Sequence, residues 1–158
     1  MRSCSFTGHR VIEKAAVPGV EQLLKKAIEY VYSEGCRTFF SGGAIGFDTM
    51  AAKAVVMFRM SHPDARLVIV IPCKNQSSAW ADGAKEMYDY LLSGADEVIS
   101  ASDDDYTRDC MRVRNQMLAD LCDVMIAYVT NSRSGSAQTV RMAERQGKKV
   151  YNLYKTIT

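Results

Sequence analysis

The residues best suited to chemistry in this chain lie where an apolar strand breaks into small residues and continues as a helix. The stretch 39–52 reads FFSGGAIGFDTMAA, with small residues at Ser41, Gly42, Gly43 and Gly46. Glycines let a backbone turn sharply and approach a ligand, while a helix start presents unpaired N–H groups and a positive dipole end. The pattern predicts an anion site, with phosphate as the usual occupant. The alternative is a tight strand-to-helix turn that holds no ligand.

Two common phosphate motifs do not match this turn. A dinucleotide fingerprint needs G-x-G-x-x-G, whereas Ser41 stands at the first glycine position and no acidic residue ends the next apolar run, 67–72. A P-loop needs Lys and then Ser or Thr after its last glycine, whereas Gly46 is followed by Phe47 and Asp48. NAD is therefore disfavoured as a cofactor, and the pattern favours a mononucleotide-type ligand.

Two further turns of small or polar residues follow other predicted strands. Because the carboxyl ends of parallel strands meet at one edge of a sheet, where open α/β folds bind ligands, we expect all three turns to converge. The candidate ligand-binding residues of the two further turns are Gly8, His9, Arg10, Ser134, Gly135, Ser136 and Thr139. His9 has an alternative role as a turn residue satisfied by the local backbone, and no Ser-His-Asp or Cys-His arrangement is legible.

Arg114 is the most informative single residue. It lies on the apolar face of a predicted helix, 106–121. Burial of an unpaired guanidinium is very costly, so this arginine must either reach a cleft or be paired. With Asn115 beside it, Arg114 could fork onto a phosphate or carboxylate. The alternative is a structural ion pair with a carboxylate such as Asp48 or Asp123.

Other polar and aromatic residues have two interpretations each. Asp48 could cap the helix that follows the glycine turn or bind a ribose hydroxyl. The acidic run 103–105 is more typical of a solvated helix start than of a divalent-cation site, and we predict no metal site. Trp80 and Tyr106 could stack on a base, although ordinary packing is the more common role for a lone tryptophan.

Composition places limits on the class of protein. The 158 residues are 47% hydrophobic and 24% charged, within the size range of one compact domain, and we predict a single domain over 1–158. The net charge of +2 comes from dispersed lysines and arginines, so no basic stripe indicates nucleic-acid binding. Five cysteines without a C-x-x-C pair suggest free thiols in a reducing cytosol. No segment reaches membrane-spanning length, so we expect a soluble, cytoplasmic protein with no membrane partner.

The elements that must position these residues alternate along the chain. Short apolar runs are separated by helical patterns, which predicts an α/β domain with a mainly parallel sheet of about six strands. The continuous apolar run of the third strand indicates burial on both faces and a central place in the sheet. The predicted strands are 3–6, 38–41, 67–71, 97–100, 124–129 and 149–153, and the helices between the third and fifth strands are 79–92 and 106–121.

Taken together, these motifs resemble the SLOG superfamily, and most of all its small bacterial YpsA-like branch. The segments that carry the resemblance are, in chain order, 6–10, 41–48, 71–73 with Gln76 and Trp80, Arg114 with Asn115, and 134–139. The resemblance covers almost the whole chain. It implies a Rossmann-like three-layer sandwich that binds a nucleotide or nucleotide-derived ligand, often as a homodimer or higher homo-oligomer.

Two better-known relatives imply different functions. LOG-type phosphoribohydrolases release a base from a nucleoside monophosphate and use an arginine, matched by Arg114, and a P-G-G-x-G-T-x-x-E turn. Gly135 and Thr139 match that turn, but Met142 stands at the catalytic glutamate, and an apolar side chain cannot act as acid or base. DprA/Smf proteins, which bind single-stranded DNA, have a comparable Arg-Asn pair and Ser-Gly-Ser turn.

The first hypothesis is therefore a sensor or regulatory domain that binds a small phosphorylated ligand. In it, the glycine turn and the 134–139 turn contact phosphate or sugar, and Arg114 neutralises charge. The second hypothesis is a nucleotide or nucleotide-sugar hydrolase. The third is DprA-like binding of single-stranded DNA, which would require a basic groove with stacking aromatics.

Overall fold

Six parallel strands form one sheet in the computed structural model, which describes residues 2–107 and 109–157. The strand order across the sheet is β4-β3-β2-β1-β5-β6. The strands are β1 (Arg2–Gly8), β2 (Cys36–Ser41), β3 (Arg66–Ile71), β4 (Glu97–Ser100), β5 (Val124–Tyr128) and β6 (Lys149–Asn152). The order reverses at β1, which pairs with β2 on one side and with β5 on the other.

Helices connect the strands and cover both faces of the sheet. The helices are α1 (Val17–Ser33), α2 (Phe47–Arg59), α3 (Asp82–Gly94), α4 (Cys110–Leu121), α5 (Gly135–Arg145) and α6 (Tyr154–Ile157), with a 3₁₀ turn at Lys14–Ala16. Right-handed crossovers place α1, α2 and α3 on one face, while α4 and α5 pack together on the other. This arrangement is a Rossmann-like three-layer α/β sandwich, as predicted.

The period of two along each strand divides the core between the two faces. In β2, Phe39 packs in the cluster beneath α1 and α2, whereas its neighbour Phe40 packs with Leu118 of α4. In β3, Leu67 and Ile69 alternate in the same way with Val68 and Val70. Strands buried on both faces are continuously apolar, which is why the sequence predicts them well.

Three differences from the predicted elements have local physical reasons. β3 is an inner strand but second from the edge, because the chain crosses from β4 back to β1 before it forms β5. The helix predicted at 79–92 begins at Asp82, since residues 74–79 form consecutive turns. The helix predicted at 106–121 begins at Cys110, and position 108 of that prediction lies outside the described residues.

Two features of composition have counterparts in the fold. All five cysteines are buried free thiols. Within the described parts of the chain, every helix is too short or too polar to cross a lipid bilayer.

Candidate ligand-binding site

A cavity of about 400 Å³ lies where the strand order reverses, above the carboxyl ends of β1, β2 and β5. This is the position at which open α/β sheets bind ligands. Its walls come from the loop after β1 (Thr7, Gly8, His9, Arg10), the region at the start of α2 (Ala44, Asp48), the helix α4 (Met111, Arg114, Asn115, Leu118) and the start of α5 (Ser134, Gly135, Ser136).

His9 joins the loop after β1 to the loop after β5. The Thr130 backbone N–H donates to His9 Nε2 at 2.8 Å, so Nε2 must be the unprotonated nitrogen. The proton therefore lies on Nδ1, which donates to Ser136 Oγ at 3.3 Å. Burial lowers the pKa of His9, which also favours the neutral ring. In this tautomer His9 orients the Ser136 hydroxyl and cannot accept its proton, so the pair is not a nucleophile and base.

The start of α5 has the features of an anion site. Ser134 is the N-cap, and its Oγ accepts from the Ala137 N–H at 3.1 Å. The backbone N–H groups of Gly135 and Ser136 have no acceptor among the described residues, as is normal for the first turn of a helix. Both residues line the cavity, so the unpaired N–H groups and the positive end of the helix dipole lie at its wall.

Arg114 is 3% exposed and approaches the cavity from α4. Its Nη1 donates to the carbonyl oxygen of Gly42 at 2.6 Å and to that of Val70 at 3.4 Å. Its Nε donates to Asn115 Oδ1 at 2.9 Å, whereas Nη2 has no partner among the described residues. Burial lowers the pKa of the guanidinium and the nearby Asp48 carboxylate opposes that shift, so the group stays charged. The two N–H groups of Nη2 are therefore left for a ligand.

Neither of the two carboxylates considered as ion-pair partners of Arg114, Asp48 and Asp123, is in direct contact with its guanidinium. Asp123 accepts instead from the backbone N–H of Ser3 at 2.8 Å, at the opposite end of the sheet. Asp48 lies close to Arg114, but no oxygen of Asp48 is within 4.0 Å of its guanidinium nitrogens. The two charges therefore attract each other without direct contact, and both line the cavity.

Asp48 is a buried carboxyl in the first turn of α2, 6% exposed. It does not cap that helix, because Gly46 is the N-cap and no side chain bonds there. Its Oδ2 accepts from the Ala44 N–H at 3.3 Å. Burial raises the pKa of Asp48 to about 6, although the Arg114 guanidinium and the Ala44 N–H both lower it. Contact with a ribose hydroxyl stays a prediction.

The glycine turn after β2 has a packing role in this structure. A Cβ on Gly42 would lie 2.5 Å from Arg114 Nη1 and 2.8 Å from Asp48 Oδ2, so only glycine lets these two groups converge there. The N–H of Gly43 donates to Ser41 Oγ, and Gly46 lies against the backbone of the loop after β1. Ser41, Gly42, Gly43 and Gly46 are thus outside the cavity wall, and their contact with a ligand stays a prediction.

Nine of the fourteen candidate site residues line one cavity. They are Gly8, His9, Arg10, Asp48, Arg114, Asn115, Ser134, Gly135 and Ser136. Thr139 does not, because it is fully buried and its hydroxyl donates to the Gly135 carbonyl at 2.9 Å. The wall also includes Thr7, Ala44, Met111 and Leu118, which the candidate set lacked. Met111 and Leu118 are three and four residues from Arg114, so helix periodicity could have found them.

The remaining candidates lie elsewhere. Residues 103–105 are exposed, and the described residues include no group of three or more His, Cys, Asp or Glu arranged to hold a metal. Trp80 packs edge-on against Tyr88, with ring centroids 5.1 Å apart, as ordinary packing predicts. Tyr106 is 64% exposed. Met142 packs in an apolar cluster between α4 and α5, outside the cavity wall.

The raised pKa of Asp48 predicts how stability changes with pH. The folded protein binds the Asp48 proton more tightly than the unfolded chain does. The stability gained from this proton is therefore complete below the ordinary pKa of 3.8 and is lost as pH rises through about 6. From about pH 5 to about pH 8 the free energy of unfolding should fall by about 1 kcal/mol for this reason. In urea denaturation, the stability of Asp48→Asn relative to the parent should therefore be greater at the higher pH. A constant gap would contradict the assignment.

Fold and cavity define a Rossmann-like α/β protein with a cavity at its topological switch point. The family model of YpsA, described as the YspA SLOG family, matches residues 6–158. The chain therefore belongs to the YpsA family of the SLOG superfamily, as its motifs indicated. Among relatives, it is 24% identical over 162 residues to UPF0398 proteins of Bacillus thuringiensis (strain Al Hakam) and Bacillus cereus (strain Q1), with 98% of this chain and 88% of each relative covered.

Solved structures at 24% identity or less share the fold of this chain. DNA processing protein A (DprA) from Streptococcus pneumoniae superposes with a TM-score of 0.70 at 24% identity, over 95% of this chain and 49% of that protein. DprA from Helicobacter pylori gives 0.66 at 20% identity, over 94% and 63%. TM1055 gives 0.61 at 15% identity, over 99% and 80%. The chain thus spans about half of one DprA chain and under two thirds of the other.

Proposed function

We propose that this protein binds a nucleotide or nucleotide-derived phosphorylated ligand in the switch-point cavity, as a sensor or regulatory domain. The observation that carries the proposal is that one cavity holds both a helix N-terminus with unpaired N–H groups, at Gly135 and Ser136, and a buried arginine with a free donor, Arg114. Phosphate is an anion that accepts hydrogen bonds both from a guanidinium and from the N–H groups of a helix start, and carboxylate is the main competitor for such a site.

The other walls fit the rest of such a ligand. Ala44, Met111 and Leu118 supply apolar surface for a base or sugar face, while Asn115 supplies an amide. Arg10 is exposed at the cavity and adds a second positive charge near Asp48 and Arg114. A cavity of about 400 Å³ is within the usual range for small-molecule sites.

A matched pair of glycine substitutions tests this phosphate site. Gly135→Asp places a carboxylate at the start of α5, where a Cβ meets only Asn115 Nδ2 at 3.8 Å. We expect it to fold normally, because acidic residues suit a helix start, but to repel phosphate and weaken binding by about tenfold or more. Gly83→Asp makes the same change in the first turn of α3, where nothing lies within 4 Å of the Cβ, and should bind like the parent.

The measurement is isothermal titration calorimetry after a thermal-shift screen. The probes are AMP, ADP, UDP-glucose, NAD, adenosine and inorganic phosphate. Phosphorylated nucleosides should raise the melting temperature by linkage, and adenosine should not. The proposal fails if no phosphorylated probe binds, or if Gly135→Asp and Gly83→Asp bind equally well.

A hydrolase is the second candidate, because Asp48 places a carboxyl with a pKa near 6 at the cavity wall. A pKa in this range suits general acid or base catalysis. The test is to incubate the protein with nucleoside monophosphates and detect released free base by chromatography. Asp48→Asn should abolish this release but still bind the nucleotide. The absence of any released base across the panel would reject this candidate.

The same experiments also test two predictions about binding partners, namely single-stranded DNA and a second copy of the chain. The H. pylori DprA structure concerns single-stranded DNA binding, so a labelled oligonucleotide belongs in the screen. Binding to a basic groove should weaken steeply with salt. The homodimer or higher oligomer that the family resemblance implies stays a prediction, and native mass spectrometry of the parent measures it together with any ligand that copurifies.

A further inference from the structure

The carboxylate of Asp48 has one oxygen that the protein leaves without a partner. Its Oδ2 accepts from the Ala44 N–H at 3.3 Å, whereas no described residue donates to Oδ1. Among the described residues that are not exposed, Gln76 Oε1 is the one side-chain polar atom that is both sealed from solvent and without a hydrogen bond. Asp48 Oδ1 is therefore open to solvent, although the residue as a whole is 6% exposed. Because Asp48 lines the switch-point cavity, this oxygen faces the ligand space.

The unpartnered groups around this oxygen have the opposite hydrogen-bonding character. The Arg114 Nη2 group and Asn115 Nδ2 are donors without an acceptor in the described part of the chain. The unpaired N–H groups at the start of α5 are donors too. Asp48 is the one acidic residue among those that the structure places in the cavity wall. An ionised carboxylate only accepts hydrogen bonds, so a ligand that fills the cavity must bring a donor of its own.

The phosphate of the ligand cannot be that donor. At about pH 8 a phosphate monoester is largely ionised, so its oxygens accept hydrogen bonds, and a carboxylate beside them repels them. Burial raises the pKa of Asp48 to about 6, so this carboxyl is ionised at that pH as well. A buried acceptor that a bound ligand leaves unpaired costs binding free energy. A matching ligand therefore offers a hydroxyl or an amine as well as its phosphate.

The position of Asp48 favours a sugar hydroxyl over an amine of the base. A Cβ on Gly42 would lie 2.5 Å from Arg114 Nη1 and 2.8 Å from Asp48 Oδ2, so both groups border one point of the glycine turn. The donor that reaches Asp48 must then lie close to the phosphate that Arg114 binds. In a 5′-nucleotide, the 2′- and 3′-hydroxyls are nearer to the phosphate than the amines of the base are.

We propose, on the basis of the function proposed above, that Asp48 is the residue that selects the sugar of the ligand. Its Oδ1 accepts a hydrogen bond from the 2′- or 3′-hydroxyl of a ribonucleotide, while Arg114 and the start of α5 bind the phosphate. The site then prefers ribonucleotides to their deoxy analogues, because an analogue without the hydroxyl leaves the buried carboxylate unpaired. Inorganic phosphate, which brings no hydroxyl of this kind, binds weakly for the same reason.

The experiment is calorimetric titration of the full chain at about pH 8 with AMP and UMP, and with the 2′-deoxy and 3′-deoxy form of each. We expect removal of one of the two hydroxyls to lower the affinity of the parent by about tenfold to a hundredfold, as for the loss of a hydrogen bond to a charged group. The hydroxyl whose removal has this effect is the one that contacts Asp48. The two nucleotides differ in their base, so a shared effect belongs to the sugar.

Substitutions assign the effect to the carboxylate. In Asp48→Ala the preference for the ribonucleotide should fall to about threefold or less, because the acceptor is gone. Asp89→Ala removes an exposed carboxylate of α3, outside the cavity wall, and should keep the full preference of the parent. The preference is a ratio of two affinities measured on one variant, so a general loss of structure or of phosphate binding cancels.

A second variant covers the case in which Asp48→Ala does not fold. Asp48→Asn keeps the shape of the side chain but removes its charge, so inorganic phosphate should bind about threefold or more tighter than it binds to the parent. A role of Asp48 in structure alone would not produce such a gain. Unchanged affinity for inorganic phosphate would contradict the proposal.

The outcomes separate the choice of sugar from the binding of phosphate. If the parent binds AMP or UMP but binds both deoxy analogues equally well, or if Asp48→Ala keeps the full preference, Asp48 does not select the sugar. The proposed phosphate site at Arg114 and the start of α5 would survive either result. If no phosphorylated probe binds, the proposed function fails, and the selection of a sugar fails with it.

Discussion

Gly46→Ala is expected to lower the unfolding free energy by roughly 4 kcal/mol, the largest loss from a single methyl group that this fold predicts. Gly46 has φ +83°, in the region that side chains avoid, and it is the N-cap of α2. A Cβ there would overlap the backbone carbonyl of Arg10 and lie 2.5 Å from that of His9. Backbone atoms cannot rotate away, so the loop after β1 must shift.

Urea denaturation of Gly46→Ala and of Gly19→Ala checks this expectation. Gly19 lies within α1, and no heavy atom is within 4 Å of its Cβ position, so alanine there should stabilise the helix by about 1 kcal/mol. The two variants carry the same glycine-to-alanine change, which should lower the unfolding free energy at position 46 and raise it at position 19. A loss below about 1 kcal/mol for Gly46→Ala would show that the loop adapts and that the contact with Arg10 is not restrictive.

Arg114→Ala should both weaken nucleotide binding and destabilise the fold. Removal of the guanidinium takes away the buried cation and free donor of the cavity, and we expect ligand affinity to fall about tenfold to a hundredfold. It also leaves the Val70 carbonyl without this donor and Asp48 without its nearest positive charge. The unfolding free energy should fall by about 2 kcal/mol.

Arg112→Ala is the control on the same helix. Arg112 is exposed and pairs with Asp109 on the surface, with an Nε to Oδ1 distance of 3.7 Å. Its removal should leave affinity unchanged within error, because exposed ion pairs contribute little. Calorimetry at a temperature where both variants are folded separates the two effects. Equal affinity in Arg114→Ala and the parent would show that the arginine is only structural.

Much of the fold was predictable because strong local signals agreed with the global arrangement. The inner strands β3 and β5 are apolar on both faces, the turns at the carboxyl ends of the strands contain small or polar residues, and parallel strands bring those turns to one edge. Arg114 was identifiable for the same reason, since a charge on the apolar face of a helix must reach a partner or a cavity. These signals lie within short windows of sequence.

The role of the glycine turn was not predictable from such windows. Whether Gly42 holds a phosphate or admits Arg114 and Asp48 depends on a side chain 72 residues further along the chain. The pKa of Asp48 likewise depends on burial, which the sequence around it does not determine. The start of α4 was misplaced because the acidic run before it resembles a helix start, whereas the chain uses that segment to pack against the loop after β3.

The hydrogen bonds of His9 to Thr130 and Ser136 have a consequence for biosynthesis. They join positions 121 and 127 residues apart, and the strand just before His9, β1, pairs with β5 as well as β2. A ribosome has therefore made most of the chain before the cavity can acquire its α5 wall, and long-range contacts of this kind form late and slowly. Ligand binding would then select completed, correctly folded molecules over partly synthesised ones.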